Sequence, residues 1–236
     1  MSDVRRVSWS RLLAEGSAIV LSILLAFSID AFWQNRQDIE HGRKLADALA
    51  SEIIENDQML ASKIDDARDA SKRARTLLDI MANPGDAGHD LRRLADLGNV
   101  FVLESWTPDT DVYQQALASG QLLLIDDTDL RFDLAGYHSA LNRVGDIVED
   151  ISTQYYLELE PFLAKNTVYT DIAHSEWLQD IPLPPFSTDL ELLSKNSELW
   201  SLIALRLEAE IALISYLERA QKSGDELGKS LLSYSN

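Results

Sequence analysis

Apolar and polar positions along this chain follow three successive patterns. Leu12 to Trp33 is an apolar run whose only charges are Glu15 and Asp30. From Gln34 onward apolar residues recur every three or four positions with charges between them, the period of an amphipathic helix. Between Asn166 and Thr188 that period lapses, and Pro182, Pro184 and Pro185 argue against a helix there.

The first pattern predicts a membrane-spanning helix. At about 1.5 Å per residue, Trp9 and Trp33 stand roughly 36 Å apart, close to the separation of the two bilayer interfaces. Trp9, Phe32 and Trp33 are then the membrane-interface anchors. A cleaved signal peptide is the competing reading, since Arg5, Arg6 and Arg11 precede the run and Ala26-Phe27-Ser28 resembles a cleavage site. The anchor is preferred because Asp30, Phe32 and Trp33 continue the helical pattern and no helix-ending residue follows. The chain thus divides into a short basic tail (1–11), a transmembrane helix (12–33) and an acidic α-helical domain (34–236).

Ala14, Ala18, Ser22, Ala26 and Asp30 recur at every fourth position of the apolar run. Small residues so spaced let two helix backbones approach closely, so this stripe is the expected helix-packing interface, with the Ser22 hydroxyl able to bond across it.

The second pattern predicts a long helix to about Ala82, with Ala46, Leu49, Ile53, Leu60, Ile64, Ala67, Ala74, Leu78 and Met81 inward. Its middle, Asp65 to Arg75, is alanine-rich, charged and expected to pack thinly. Asn83-Pro84-Gly85 ends it. A short helix around Asp90 to Leu97 and an apolar piece, Val100 to Leu103, follow. Thr107-Pro108-Asp109 reads as a helix start with Thr107 as N-cap, and Ser119-Gly120 as that helix's end. Gln121 to Ile125 is a connector. A helix from Asp126-Asp127-Thr128 buries Leu130, Leu134, Tyr137, Leu141, Val144, Ile147, Val148 and Ile151, then kinks or ends near Pro161. Trp177 and Phe186 are expected to pin the irregular segment. A last helix, from Asp189 or Asn196 to Leu227, buries Leu199, Ile203, Leu207, Ile211, Ile214 and Leu217, with Glu198, Arg206, Glu208, Glu210 and Arg219 on other faces. The fold class is all-α: one N-terminal transmembrane helix continuing into a long helix of an antiparallel helical bundle.

Composition narrows the function. A net charge of -18 over 236 residues disfavours nucleic acid as a partner, because phosphate binding needs a basic surface. With no cysteine there is neither a disulfide framework nor thiol chemistry. His41, His89 and His174 each follow an aspartate by three residues, a spacing expected by chance in so acidic a chain, and none completes a zinc or di-metal motif. No phosphate loop, nucleophile elbow or kinase signature appears. The reading is therefore non-enzymatic, with no cofactor, metal or catalytic residue. The aromatic set Trp106, Tyr113, Phe132, Tyr137, Tyr155, Tyr156, Phe162 and Trp200 could line a pocket, but an ordinary bundle core explains it more simply.

Glu15-Gly16, Ile19 to Phe27, Ile29 to Trp33 and Arg36, together with Tyr113 to Gly120, Leu124-Ile125, Leu130-Arg131 and Tyr137, resemble an uncharacterised bacterial membrane-anchored family. Its N-terminal signature is a Gly/Glu start, an apolar run, a small polar residue and a tryptophan. Asp30-Ala31 departs from the Asn or Asp pair expected there. The resemblance implies architecture and location only: the bacterial inner (cytoplasmic) membrane. Basic residues tie across the anchor (Arg5, Arg6, Arg11 against Arg36, Arg43, Lys44), and the short tail favours a cytoplasmic N-terminus with a periplasmic C-terminal domain. The expected role is an assembly or accessory subunit of a membrane complex, contacting lipid and either a second copy or other membrane subunits. The alternative is a ligand-sensing bundle signalling through a partner, disfavoured because no output domain is expected at either end.

Overall fold

The computed structural model describes residues 9–83, 94, 106–172, 182 and 184–235, with side chains from residue 17 onward. The expected helix around Asp90 to Leu97, the Val100 to Leu103 piece and the Trp177 pin lie outside the described residues, Leu94 excepted. Helix α1 runs unbroken over Trp9–Ala82, 74 residues and roughly 110 Å at the usual rise per residue. It joins the apolar run to the bundle in one rod, as the absence of proline and the lone Gly42 beyond Gln34 require. Helix α2 is Asp111–Ser119, followed by a 3-10 turn at Gln121–Leu124; α3 is Thr128–Gln154. A π-helical turn, Tyr155–Leu159, leads into α4 (Glu160–Asn166), then α5 (Tyr169–Ile172), α6 (Leu190–Ser194) and α7 (Ser197–Ser235). Among the described residues there is no strand, so the architecture is an all-α bundle.

Helix α7 lies antiparallel along α1. Ile53 of α1 packs on Gly224 and Gly228 of α7, while Leu77 and Ile80 share a core with Leu199 and Ile203. Helix α3 runs alongside, Tyr137 pressing on the backbone at Gly224. The core falls into two clusters. One gathers Leu49, Ile53, Leu60, Tyr113, Leu134, Tyr137, Leu141 and Leu227; the other gathers Leu77, Ile80, Leu159, Phe162, Leu199 and Ile203. They meet at the alanine-rich middle of α1, where only Ala67, Ala70, Ser71 and Ala74 face inward.

Local boundaries follow their capping chemistry. Asp127 accepts from Leu130 N at 3.1 Å to start α3, and Gly120, at φ 75°, ends α2 in the left-handed conformation glycine tolerates. Thr107 does not cap α2, which begins four residues later at Asp111 behind Thr110, whose side chain makes no cap bond. Pro161 does not end the helical run; it lies in the first turn of α4, just past the π-helical turn. The preceding turn widens so that Glu160 N donates to Tyr155 O, and the chain passes the missing proline N–H in a π turn. The last helix breaks at Lys195-Asn196, where Asn196 Oδ1 accepts from Glu198 N and Leu199 N, and it extends to Ser235 rather than Leu227.

Two expectations about facing were wrong. In α7 the buried line runs through Leu199, Leu202, Ile203, Arg206, Glu210 and Leu217, whereas Ile211 is exposed and Leu207 and Ile214 are only partly covered. Phe186 does not pin the irregular segment; it is exposed. The aromatic set lines no single pocket: Tyr113 and Tyr137 lie in one cluster, Phe162 in the other, and Phe132, Tyr156 and Trp200 are exposed.

Candidate functional site

Two features stand apart from ordinary packing: a bare length of α1 and a polar cluster buried inside the bundle. Every residue of α1 from Ser17 to His41 is exposed, including Ile19, Val20, Leu21, Leu24, Leu25 and Phe27. This is one helix long and apolar enough to cross a membrane, and none of its apolar stretch is buried against the bundle. Ala18, Ser22, Ala26 and Asp30 lie on this bare length, as do Phe32 and Trp33. Trp9 and Ala14 fall in the helix, but their side chains lie outside the described residues.

Within the bare helix, Ser22 Oγ donates to Ala18 O at 2.8 Å and Ser28 Oγ to Leu24 O at 2.8 Å, so both hydroxyls are satisfied without a partner. Gln34 Nε2 donates to Asp30 Oδ2 at 3.3 Å, which draws the carboxylate toward the polar end of the segment. Geometry also limits the stripe. Each step of four residues advances about 40° around a straight helix, so the line from Ala14 to Asp30 winds through roughly 160°. A crossing helix meets only the two or three positions around Ser22 at once.

Where α1 enters the bundle, Gly42 is buried against the 3-10 turn, and a Cβ there would overlap the Leu124 carbonyl oxygen and lie 3.0 Å from its carbon. The helix and turn approach this closely only because position 42 has no side chain. Beside this contact His41, Lys44, Leu45, Gln121 and Leu124 line an open cleft of about 330 Å³. Lys44 is already paired with Glu40 at 2.8 Å.

The buried polar cluster is built from α1, α2 and α3. Asn56 bonds the backbone of Asp109 twice, Nδ2 donating to its carbonyl at 2.6 Å and Oδ1 accepting from its N–H at 2.8 Å. One turn back on the same helix, Glu52 Oε2 accepts from Val112 N at 2.7 Å and Tyr113 N at 3.4 Å. Glu52 thus supplies from α1 the cap that Thr110 does not, and its carboxylate sits at the positive end of α2. From α3, His138 stacks on Tyr113 with ring centroids 3.5 Å apart. Its Nε2 faces Glu52 Oε1 at 3.8 Å. Burial pushes the Glu52 carboxyl up to about 6 against its backbone bonds, with Asp109 and Asp111 adding to the rise. Burial drives His138 down to about 4. It also raises Tyr137, against an opposing hydrogen-bond contribution from Asn56.

A second polar pair lies on α7. Arg206 Nη2 and Glu210 Oε1 stand 2.6 Å apart, both side chains nearly fully covered. Arg206 also borders a cavity of about 10 Å³, the room of a single water, beside Tyr155 and Leu159 of the π turn. These two residues read from their sequence positions as solvated face. They are instead the polar partition between the two core clusters.

His174 and the Asp86/His89 pair fall outside the described residues, and His41 is exposed. Among the described residues no three His, Asp or Glu side chains gather to hold a metal. Glu52 and Asn56 are not among the candidate sites that the sequence offers. Their spacing of four on the inward side of α1 was the available signal, unreadable without knowing that a loop's backbone would come to meet them. No family model, curated protein or solved structure matches this chain, so the resemblance to a bacterial membrane-anchored family rests on the residues quoted for it.

Proposed function

We propose that this chain is a non-enzymatic single-pass protein of a bacterial inner membrane, acting as an assembly or accessory subunit of a membrane complex. Its N-terminus lies in the cytoplasm and its bundle in the periplasm. The observation that carries the proposal is the bare length of α1 from Ser17 to His41. Lipid covers the apolar part. It does not cover Gln34 to His41, which continue past Trp33 as a lone exposed helix before the first bundle contact at Gly42. An unpacked helix in water has little to hold it, so a partner helix laid along this stretch supplies what the bundle does not. The small residues Ala18, Ser22 and Ala26 favour close approach on the membrane side, by a second copy or another subunit.

Purification from native membranes in mild detergent, followed by mass spectrometry of the intact assembly, tests this directly. A higher-order species is expected; a monomer with no associated protein would sink the proposal. Ser22→Leu and Ala26→Ile should leave membrane insertion intact and reduce the assembly size, and an unchanged size would remove that face as the contact. A reporter fused to the C-terminus decides sidedness.

A further inference from the structure

Glu52 Oε1 and His138 Nε2 face each other at 3.8 Å inside the bundle, both buried and neither with a hydrogen-bond partner. That separation is too long for a hydrogen bond, and with the His138 proton on Nδ1 the carboxylate oxygen and Nε2 are two acceptors facing each other out of water, which is costly. One proton resolves both. Taken from solvent onto Glu52 Oε1, it turns the carboxylate into a donor that reaches Nε2 after the side chains close by about 1 Å.

The surroundings decide which residue takes it. Asp57 lies on α1 with Glu52; Asp109 and Asp111 approach from the loop and α2, and both raise the affinity of Glu52 for a proton. From α3 come Tyr113-stacked His138 and Tyr137, and α7 contributes the backbone of Gly224 against Tyr137. Burial resists a charge on the imidazole. The proton therefore goes to Glu52.

We propose that Glu52 is a proton-operated latch: on taking up one proton, shared with His138 across the α1–α3 contact, it loosens its hold on the first turn of α2. The neutral carboxyl still accepts from Val112 N and Tyr113 N, but a charged acceptor makes roughly twice as strong a bond as a neutral one. Because Thr110 provides no cap, nothing on α2 itself compensates. The latch sits on the rod that enters the membrane, ten residues beyond Gly42, and works whichever side of the bilayer the bundle occupies. In acid it loosens; its carboxyl is poised to do so near pH 6.

The test uses the full chain in detergent micelles. Amide exchange at Val112 and Tyr113, corrected for the intrinsic effect of pH, should show about five-fold less protection at pH ~5 than at pH ~7.5. Glu52→Gln, which keeps the acceptor and adds a donor toward His138, should show the low protection at both pH values. The carboxyl carbon shift of Glu52 in the unmodified chain should titrate near 6. Equal protection at the two pH values, or a Glu52 carboxyl titrating in the ordinary carboxylate range, overturns the latch. The unmodified chain decides this alone if the variant does not fold.

Discussion

Replacing Glu52 with Gln should make the bundle acid-sensitive by removing a compensation between two buried groups. His138 has a folded pKa depressed to about 4 from 6.5, so the unfolded chain binds its proton more tightly and stability is lost as pH falls. Between about pH 7.5 and pH 5 this costs about 2 kcal/mol. Glu52 works in the opposite direction. Its folded value is raised from 4.5 to about 6, so the folded chain takes the proton first and stability increases as pH falls. Over the same range that contributes about 1 kcal/mol. Between these pH values the unmodified pair therefore loses only about 1 kcal/mol, since the proton that His138 would carry in the unfolded chain resides on Glu52 in the fold. Both side chains are almost wholly covered, so solvent screens little of either contribution. In Glu52→Gln only the His138 loss remains. The assay is urea unfolding of the full chain in mild detergent, followed by helical circular dichroism at several pH values. The quantity read is the variant-minus-parent difference, which cancels the other acids. That difference should grow by about 1 kcal/mol on acidification. A difference that stays constant, or shrinks, refutes the assignment of these protonation states.

Gly42→Ala separates packing from propensity. Helix propensity alone predicts stabilisation by about 1 kcal/mol, whereas overlap with the Leu124 carbonyl predicts net destabilisation of about 1–2 kcal/mol in urea unfolding. A more stable variant would mean the contact is loose. Asn56→Ala strands both the N–H and the carbonyl of Asp109 and should cost about 2–4 kcal/mol by the same measurement. A loss under about half a kcal/mol would show that water replaces the side chain. Arg206→Met leaves Glu210 buried beside an apolar chain and should destabilise by about 3 kcal/mol, while the double change Arg206→Met with Glu210→Leu should recover most of that. If the double variant is as unstable as the single, the pair is needed for more than mutual neutralisation.

The sequence by itself determined the helical class, the apolar span, the continuity of α1 and the glycine that ends α2. Each is local: it follows from period, from missing proline, or from one residue's allowed backbone angles. Most inward positions of α1 and α3 were legible for the same reason, as Leu49, Ile53, Leu134 and Leu141 show. Tertiary structure alone decided the rest. On α7 an apolar stripe through Leu207 and Ile211 is as good a helix pattern as the buried line through Arg206 and Glu210. Only the neighbour's placement selects between lines about 100° apart on one helix. The start of α2 moved from Thr107 to Asp111 because its cap comes from Glu52, 59 positions before that start. The same long-range meeting brought Glu52 to His138, and no spacing along the chain announces a pairing made across three elements. Periodicity records which residues a helix can bury; which of them a partner covers is set when the helices meet.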